Sequence, residues 1–174
     1  MGNERMEKYI LDKTELVNYL KYYHCQKYNK PITPIKLQKA LYFLFAFWAK
    51  FVKMSKKSEA EYLFENLSPN LFHANFEAWA YGPVDRQVYD FFKTEVGKHF
   101  DTNAAIRFRK EMNETVELFF ADYLDRILNT GDFSLVDLSH EDLCWKNHYD
   151  KNDFYHSSEI PSEEIIEEYG KKIS

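Results

Sequence analysis

With 174 residues, 45% of them apolar, the chain is long enough to bury one sizeable core and too apolar to be disordered. Five Gly and five Pro are too few for an all-β fold with many tight turns, and two distant cysteines, Cys25 and Cys144, exclude a disulfide framework and point to a reducing compartment. The net charge of −5 conceals twelve basic and four acidic residues in 1–57 against eleven basic and twenty-four acidic in 58–174; such an imbalance predicts either attraction within one fold or a basic face for a polyanion or acidic partner together with an acidic tail region for something basic.

The stretch Met1–Ile10 is charged and has no apolar h-region, so no secretory signal is expected; residues 1–11 read as an N-terminal leader and 12–174 as one helical domain. Asp12 and Glu15, at capping-box spacing, predict a helix start near Lys13, continued by Leu16, Tyr19, Leu20 and Tyr23 at helical spacing. Pro31 ends it, Thr33 can cap the next, and Pro34 suits a first turn where a missing N–H costs nothing. The second helix is expected from Pro34 to about Val52. It is apolar nearly all round after Ala40, as a central core helix should be. Its apolar run, Ala40–Ala49, spans about 15 Å as helix against roughly 30 Å of membrane hydrocarbon, which excludes a membrane span.

Lys53–Ala60 reads as a surface linker, and Tyr62–Leu71 as a short helix or irregular segment ended at Pro69. Phe72, Ala74, Phe76, Ala78 and Ala80 alternate, predicting at most a short strand or hairpin before a break at Gly82-Pro83. A helix over Asp85–Lys93 would bury Val88, Phe91 and Phe92. A long one over Asn113–Asn129 would bury Val116, Phe119, Phe120, Tyr123 and Ile127, with Gly131 as its stop. A short helix fits Ser134–Leu138. Ser139 and Asp142 predict a further helix through about Tyr149, and Ser162 a last one to Tyr169, ended by Gly170. The fold class expected is mainly α: a single compact helical domain with a buried central helix.

His140, Cys144 and His148 fall at i, i+4 and i+8 on that expected helix. The outer two would be about 12 Å apart, too far to share one zinc ion, and no C-x-x-C accompanies them. Cys144 with a histidine one turn away has nucleophile–base spacing, but Leu143 and Trp145 beside it predict a buried thiol. Glu163, Glu164, Glu167 and Glu168 read as a solvated helix face. No phosphate loop, H-E-x-x-H or G-x-S-x-G occurs, so no catalytic, cofactor-binding or metal-ligating residues are assigned and no enzyme is expected. Lys36 and Lys39, at the start of helix two, stand where a recognition helix would read bases, although burial suits that helix better than a DNA groove. In Tyr81-Gly82-Pro83-Val84, Gly permits an unusual backbone and Pro removes a donor, which predicts a rigid turn flanked by Trp79, Tyr81 and Tyr89. Such a turn serves either as a binding anchor or as core, with Trp79 packed on Trp145 and His140 bonded to backbone near Gly82.

These residues add up to a resemblance. The segment Thr33 to Tyr42, the segment Phe76 to Val84 with Val88-Tyr89, Leu138 to Glu141 with Trp145, and a closing helix over Ile160–Tyr169 are together similar to the Panacea domain family. Its members are SocA-like antitoxins, also described as phage-associated GepA-like proteins. The match spans about residues 12–170 in family order. Ala40 stands where Leu is usual, and Ser139 where Thr is commoner. The resemblance implies a cytoplasmic bacterial or prophage protein that neutralises a cognate toxin by direct contact, in one instance also acting as an adaptor to a protease. It makes Lys36, Lys39, Trp79, Tyr81, Gly82, Pro83, Val84, Tyr89, His140 and Trp145 the candidate protein-binding or signature residues. The alternative is a nucleic-acid-binding regulator or phage counter-defence protein using the basic first third.

Overall fold

A computed structural model describes residues 8–55, 67–153 and 158–172. The first two helices follow the capping signals. Asp12 accepts from the Glu15 N–H at the head of α1 (Lys13–Tyr28), and left-handed Asn29 (φ 55°) closes it, its N–H reaching Cys25 O. Thr33 Oγ1 accepts from the Lys36 N–H at the head of α2 (Pro34–Ser55), which runs three residues beyond the expected Val52 end. The remainder of the expected linker and the first half of the segment expected over Tyr62–Leu71 lie outside the described residues, as do Met1–Glu7.

Helix α2 is the axis of the molecule. Leu37, Leu41, Tyr42, Leu44, Phe45 and Trp48 are all but inaccessible to solvent, and the helix packs on α1, on one strand of a hairpin and on four later helices. Large rings fill the surrounding space: Phe45 meets Phe72 and Phe76, and Trp48 meets Phe51 and Phe119. Burying each such side chain contributes about 1.5–3 kcal/mol. The Trp48 indole N–H is satisfied by Ser68 O at 2.9 Å.

A two-stranded antiparallel hairpin, β1 (Phe76–Trp79) and β2 (Gly82–Asp85), lies across α2. Gly82-Pro83 therefore opens the second strand instead of ending the extended segment. The turn is Ala80-Tyr81, and Gly82 takes φ +94° to complete it. Proline is tolerated there because β2 has no strand on its other side. The free edge of β1 is met by the backbone of 158–160, through Ala78 N to Ser158 O and Ile160 N to Phe76 O, both 2.8 Å.

Asp85 then caps α3 (Arg86–Phe92), accepting from Val88 N. Of the three side chains expected inside, only Val88 is buried; Phe91 is exposed and Phe92 half-buried, because so short a helix lays one turn against the core. The short α4 (Glu95–Lys98) leads to α5 (Thr102–Glu111). Helix α6 (Glu114–Asn129) forms over the expected span, with Asn113 as its cap and not its first residue. Gly131 is not its left-handed stop: with φ −59° it caps α7 (Asp132–His140). The expected helix 139–149 is absent. Ser139 belongs to the last turn of α7, and α8 (Leu143–Lys146) is one turn long. Helix α9 (Ser162–Lys171) closes against α2, with Gly170 inside it. Among the described residues the architecture is thus nine helices, with α2 at the centre of the other eight, and one small hairpin.

Part of the charge asymmetry is spent inside the fold. Lys13 pairs with Asp85 at 2.9 Å, Lys27 with Asp125 at 2.7 Å and Lys36 with Asp132 at 3.3 Å. Residues 10 and 11 of the expected leader bond to Asn70 O and Leu71 O.

Candidate functional site: the signature hairpin and its anchors

The candidate residues fall into two groups: a buried set that holds the hairpin, and its exposed tip. Lys36 and Lys39 do not project from the start of a recognition helix. Both are buried, 7% and 1% exposed, because the apolar environment of α2 extends back to its first turn. Lys36 Nζ donates to the carbonyls of Leu128 and Thr130, the C-terminal end of α6, where a cation offsets the helix dipole. Lys39 Nζ donates to Pro83 O at 2.6 Å. Beside it, the Gln38 amide accepts from Asp85 N at 2.8 Å and donates to Asp85 O at 3.2 Å, as a neighbouring strand would. Gln38 and Lys39 thus satisfy the backbone of β2 from a helix. The sequence signal for this is the pair of polar residues directly before the apolar run that begins at Ala40, of which only Lys39 is among the candidate residues.

Asp85 is fully buried. It takes the N–H of Val88 and of Asn75 and the ammonium of Lys13, so one carboxylate ties α1, the approach to β1 and the head of α3. Gly82 lies where helix and hairpin approach most closely: a Cβ there would run into Ser139 Oγ and come within 3.0 Å of Lys39 Cε. Val84 and Pro83 are buried with it.

The aromatic residues divide. The Trp145 indole N–H donates to Trp79 O at 2.8 Å, and the Trp145 ring lies between His140 and Tyr149, at 4.1 and 4.6 Å. The Trp79 ring turns the other way, edge-on to Tyr89 at 4.6 Å, so the two tryptophans meet through N–H and carbonyl. His140 Nε2 lies 3.0 Å from Ala80 O, a satisfied histidine holding the turn. Tyr81 alone of the candidate set is exposed, at 59%, and its ring meets Phe133 of α7 at 6.1 Å.

Burial with no acidic partner drives the Lys39 ammonium down to about 7. A lysine so depressed binds its proton more weakly folded than unfolded. Between pH 7 and the unfolded value near 10.5 the unfolded state holds more protons, so stability rises with pH there. The Cys144 thiol, pushed up to about 12 by burial, and the Tyr42 and Tyr169 phenols, also raised by burial, act oppositely above about pH 9. A melting-temperature profile should therefore climb from pH 7 to 9 and then fall, and Lys39→Met should remove the climb. An unchanged profile in that variant would place the titrating group elsewhere.

His140, Cys144 and His148 share no helix face. Cys144 is 2% exposed, its sulfur 3.3 Å from Tyr42 Oη, while His148 Nε2 pairs with Glu164 at 2.7 Å. A thiol held near 12 is protonated at neutral pH and makes a poor nucleophile. Nor are the glutamates of α9 a uniformly solvated face. Glu168 turns inward and accepts the N–H groups of Leu143 and Cys144, capping α8. Asp142, Cys144 and Glu168 bring ligand-type atoms within 4.8 Å of one another. Their charge is already met by Lys172 Nζ, 2.7 Å from Asp142 and 3.5 Å from Glu168, so a metal ion would have to displace an ammonium and strip a reluctant thiol. A cleft of 710 Å³ opens beside this group, between α8 and α9.

Most of the candidate residues thus brace one hairpin of a small α-helical domain, and its tip stands at the surface. The family model for the antitoxin SocA-like, Panacea domain matches residues 58–146, just over half of the chain, and the chain belongs to that family. No curated protein and no solved structure matches it. Membership carries an antitoxin-type role in general, with a toxin protein as the general kind of partner. Among the described residues, no helix is long and apolar enough to cross a membrane.

Proposed function

We propose that this protein neutralises a cognate toxin by direct contact, in the cytoplasm of a bacterium or a cell carrying its prophage, and that it works by binding and not by catalysis. The observation that carries the reading is the family match over 58–146, which includes the hairpin. An exposed Tyr81 standing on a braced, hydrogen-bonded turn supports it, since a preorganised aromatic loses little entropy on contact. Delivery of the toxin to a protease is compatible with the same mode of action. The nucleic-acid reading relied on the basic first third, and Lys13, Lys21, Lys27, Lys36 and Lys39 all have partners within the fold.

Co-expression tests the proposal. Each reading frame adjacent to the gene is induced with and without this protein, and growth is followed. One neighbour should be toxic alone and tolerated in the presence of this chain, with the two proteins co-purifying. Toxicity that this chain never relieves would sink the antitoxin reading. A gel shift on the gene's own promoter at low salt is expected to show no complex.

A further inference from the structure

Four of the nine large apolar side chains that are exposed among the described residues lie on one stretch of surface. Tyr81 leans on Phe133, and Phe133, Leu138 and Leu143 follow along α7 into α8, at 62, 46 and 59% exposure. At about 100° per residue, Phe133 and Leu138 stand at the two edges of the outward arc of α7, with Asp137 and Glu141 between them. Scattered exposed apolar residues need no explanation, but a run of four beside a hydrogen-bonded turn does.

The charge on this stretch leans acidic, with the exposed Lys146 at the end of α8 beside it. From Ile127 to Trp145 there is no Lys or Arg, against four acidic residues. Asp132 and Asp142 are committed to Lys36 and Lys172, and Asp137 and Glu141 face solvent. Past Glu141 the surface dips into the α8–α9 cleft, whose lining carries four carboxylates, of Glu141, Glu164, Glu167 and Glu168, against two ammoniums. That cleft already holds a cation of its own: Lys172 Nζ sits on Asp142 and 4.0 Å over the Tyr169 ring. Carboxylate and aromatic ring thus combine there to hold an ammonium group.

We propose that Tyr81, Phe133, Leu138 and Leu143, with Asp137 and Glu141 between and beside them, form a docking face for a cationic amphipathic segment of a partner protein. The segment's apolar side chains lie on the Tyr81–Phe133 pair and the leucines, and its Lys or Arg groups on the carboxylates. The charge selects against nucleic acid and anionic membrane, whose phosphates this face repels. The inference rests on the reading of the chain as a toxin-binding protein, and adds which face binds and what it recognises.

Two double variants test it, Tyr81→Ser with Phe133→Ser and Asp137→Lys with Glu141→Lys, alongside a control on other faces, Ile106→Ser with Leu118→Ser. One arm measures growth rescue against the toxin that the unaltered protein neutralises. The other measures the fluorescence anisotropy of a labelled helical peptide of Leu and Lys, and of its Glu-for-Lys twin, at about 50 and about 300 mM salt. The lysine peptide should bind at least about tenfold tighter than its twin and weaken with salt, and each double variant should lose about tenfold while the control loses nothing. Rescue untouched by both double variants, or equal binding of the two peptides, overturns this docking face while leaving the antitoxin reading intact. An unaltered protein that rescues against no neighbour yet prefers the lysine peptide removes the antitoxin reading and keeps the face. Should a double variant melt early, Tyr81→Ser and Glu141→Lys singly carry the same test.

Discussion

Asp142→Ala should destabilise the protein by about 3–5 kcal/mol. Asp142 is 1% exposed, and three groups from two elements and a chain end converge on it. It accepts the Tyr42 hydroxyl from the middle of α2, the Tyr169 hydroxyl from α9 at 2.6 Å, and the Lys172 ammonium at 2.7 Å. Removing the carboxylate takes the oxygen acceptor from two buried phenols, leaving Tyr42 only the Cys144 sulfur, at a cost of about 1–3 kcal/mol each, and releases the pin that holds α9 on α2. The lysine, 44% exposed, is rehydrated and adds little. Asp142→Asn keeps an acceptor and should lose about half as much. Urea unfolding monitored by tryptophan fluorescence measures both. An Asp142→Ala loss below about 1 kcal/mol would mean that aromatic packing of Tyr42 on Phe76 and Tyr169 suffices without the carboxylate.

Gly82→Ala is expected to cost a comparable 3–5 kcal/mol or so, for two separable reasons. The φ of +94° lies outside the range an L side chain adopts readily, worth about 1–3 kcal/mol. The added Cβ also meets Ser139 Oγ and Lys39 Cε, worth about another 1–3 kcal/mol as overpacking. Ser139→Ala removes the nearer obstacle and leaves the backbone term untouched. The double variant should therefore recover about 1 kcal/mol or more of the Gly82→Ala loss, a coupling readable from a double-mutant cycle. No recovery would assign the whole loss to backbone strain. Because His140 holds Ala80 and Phe133 supports Tyr81, the same substitution should also displace the tip and weaken partner binding beyond its effect on stability.

The sequence by itself determined the helical class, the caps at Asp12 and Thr33, the buried axis α2 and the family. These depend on neighbours within a turn or on an apolar period, and both are written locally in the chain. Only the tertiary structure decided what the polar residues do. Lys36 and Lys39 looked like a reading face because their positions in α2 were right; their partners, Leu128, Thr130 and Pro83, lie 44 to 94 residues away. Asp142 looked like a cap and is a hub, since Tyr42 stands 100 residues from it. The exposed side of the signature was equally illegible: Trp79, Tyr81 and Tyr89 are alike as aromatic residues, and which of them reaches solvent is set by what α3, α7 and α8 place against each ring. Local pattern selects the elements, while a buried polar group must find its partner wherever the chain returns, and that is fixed only when the elements pack.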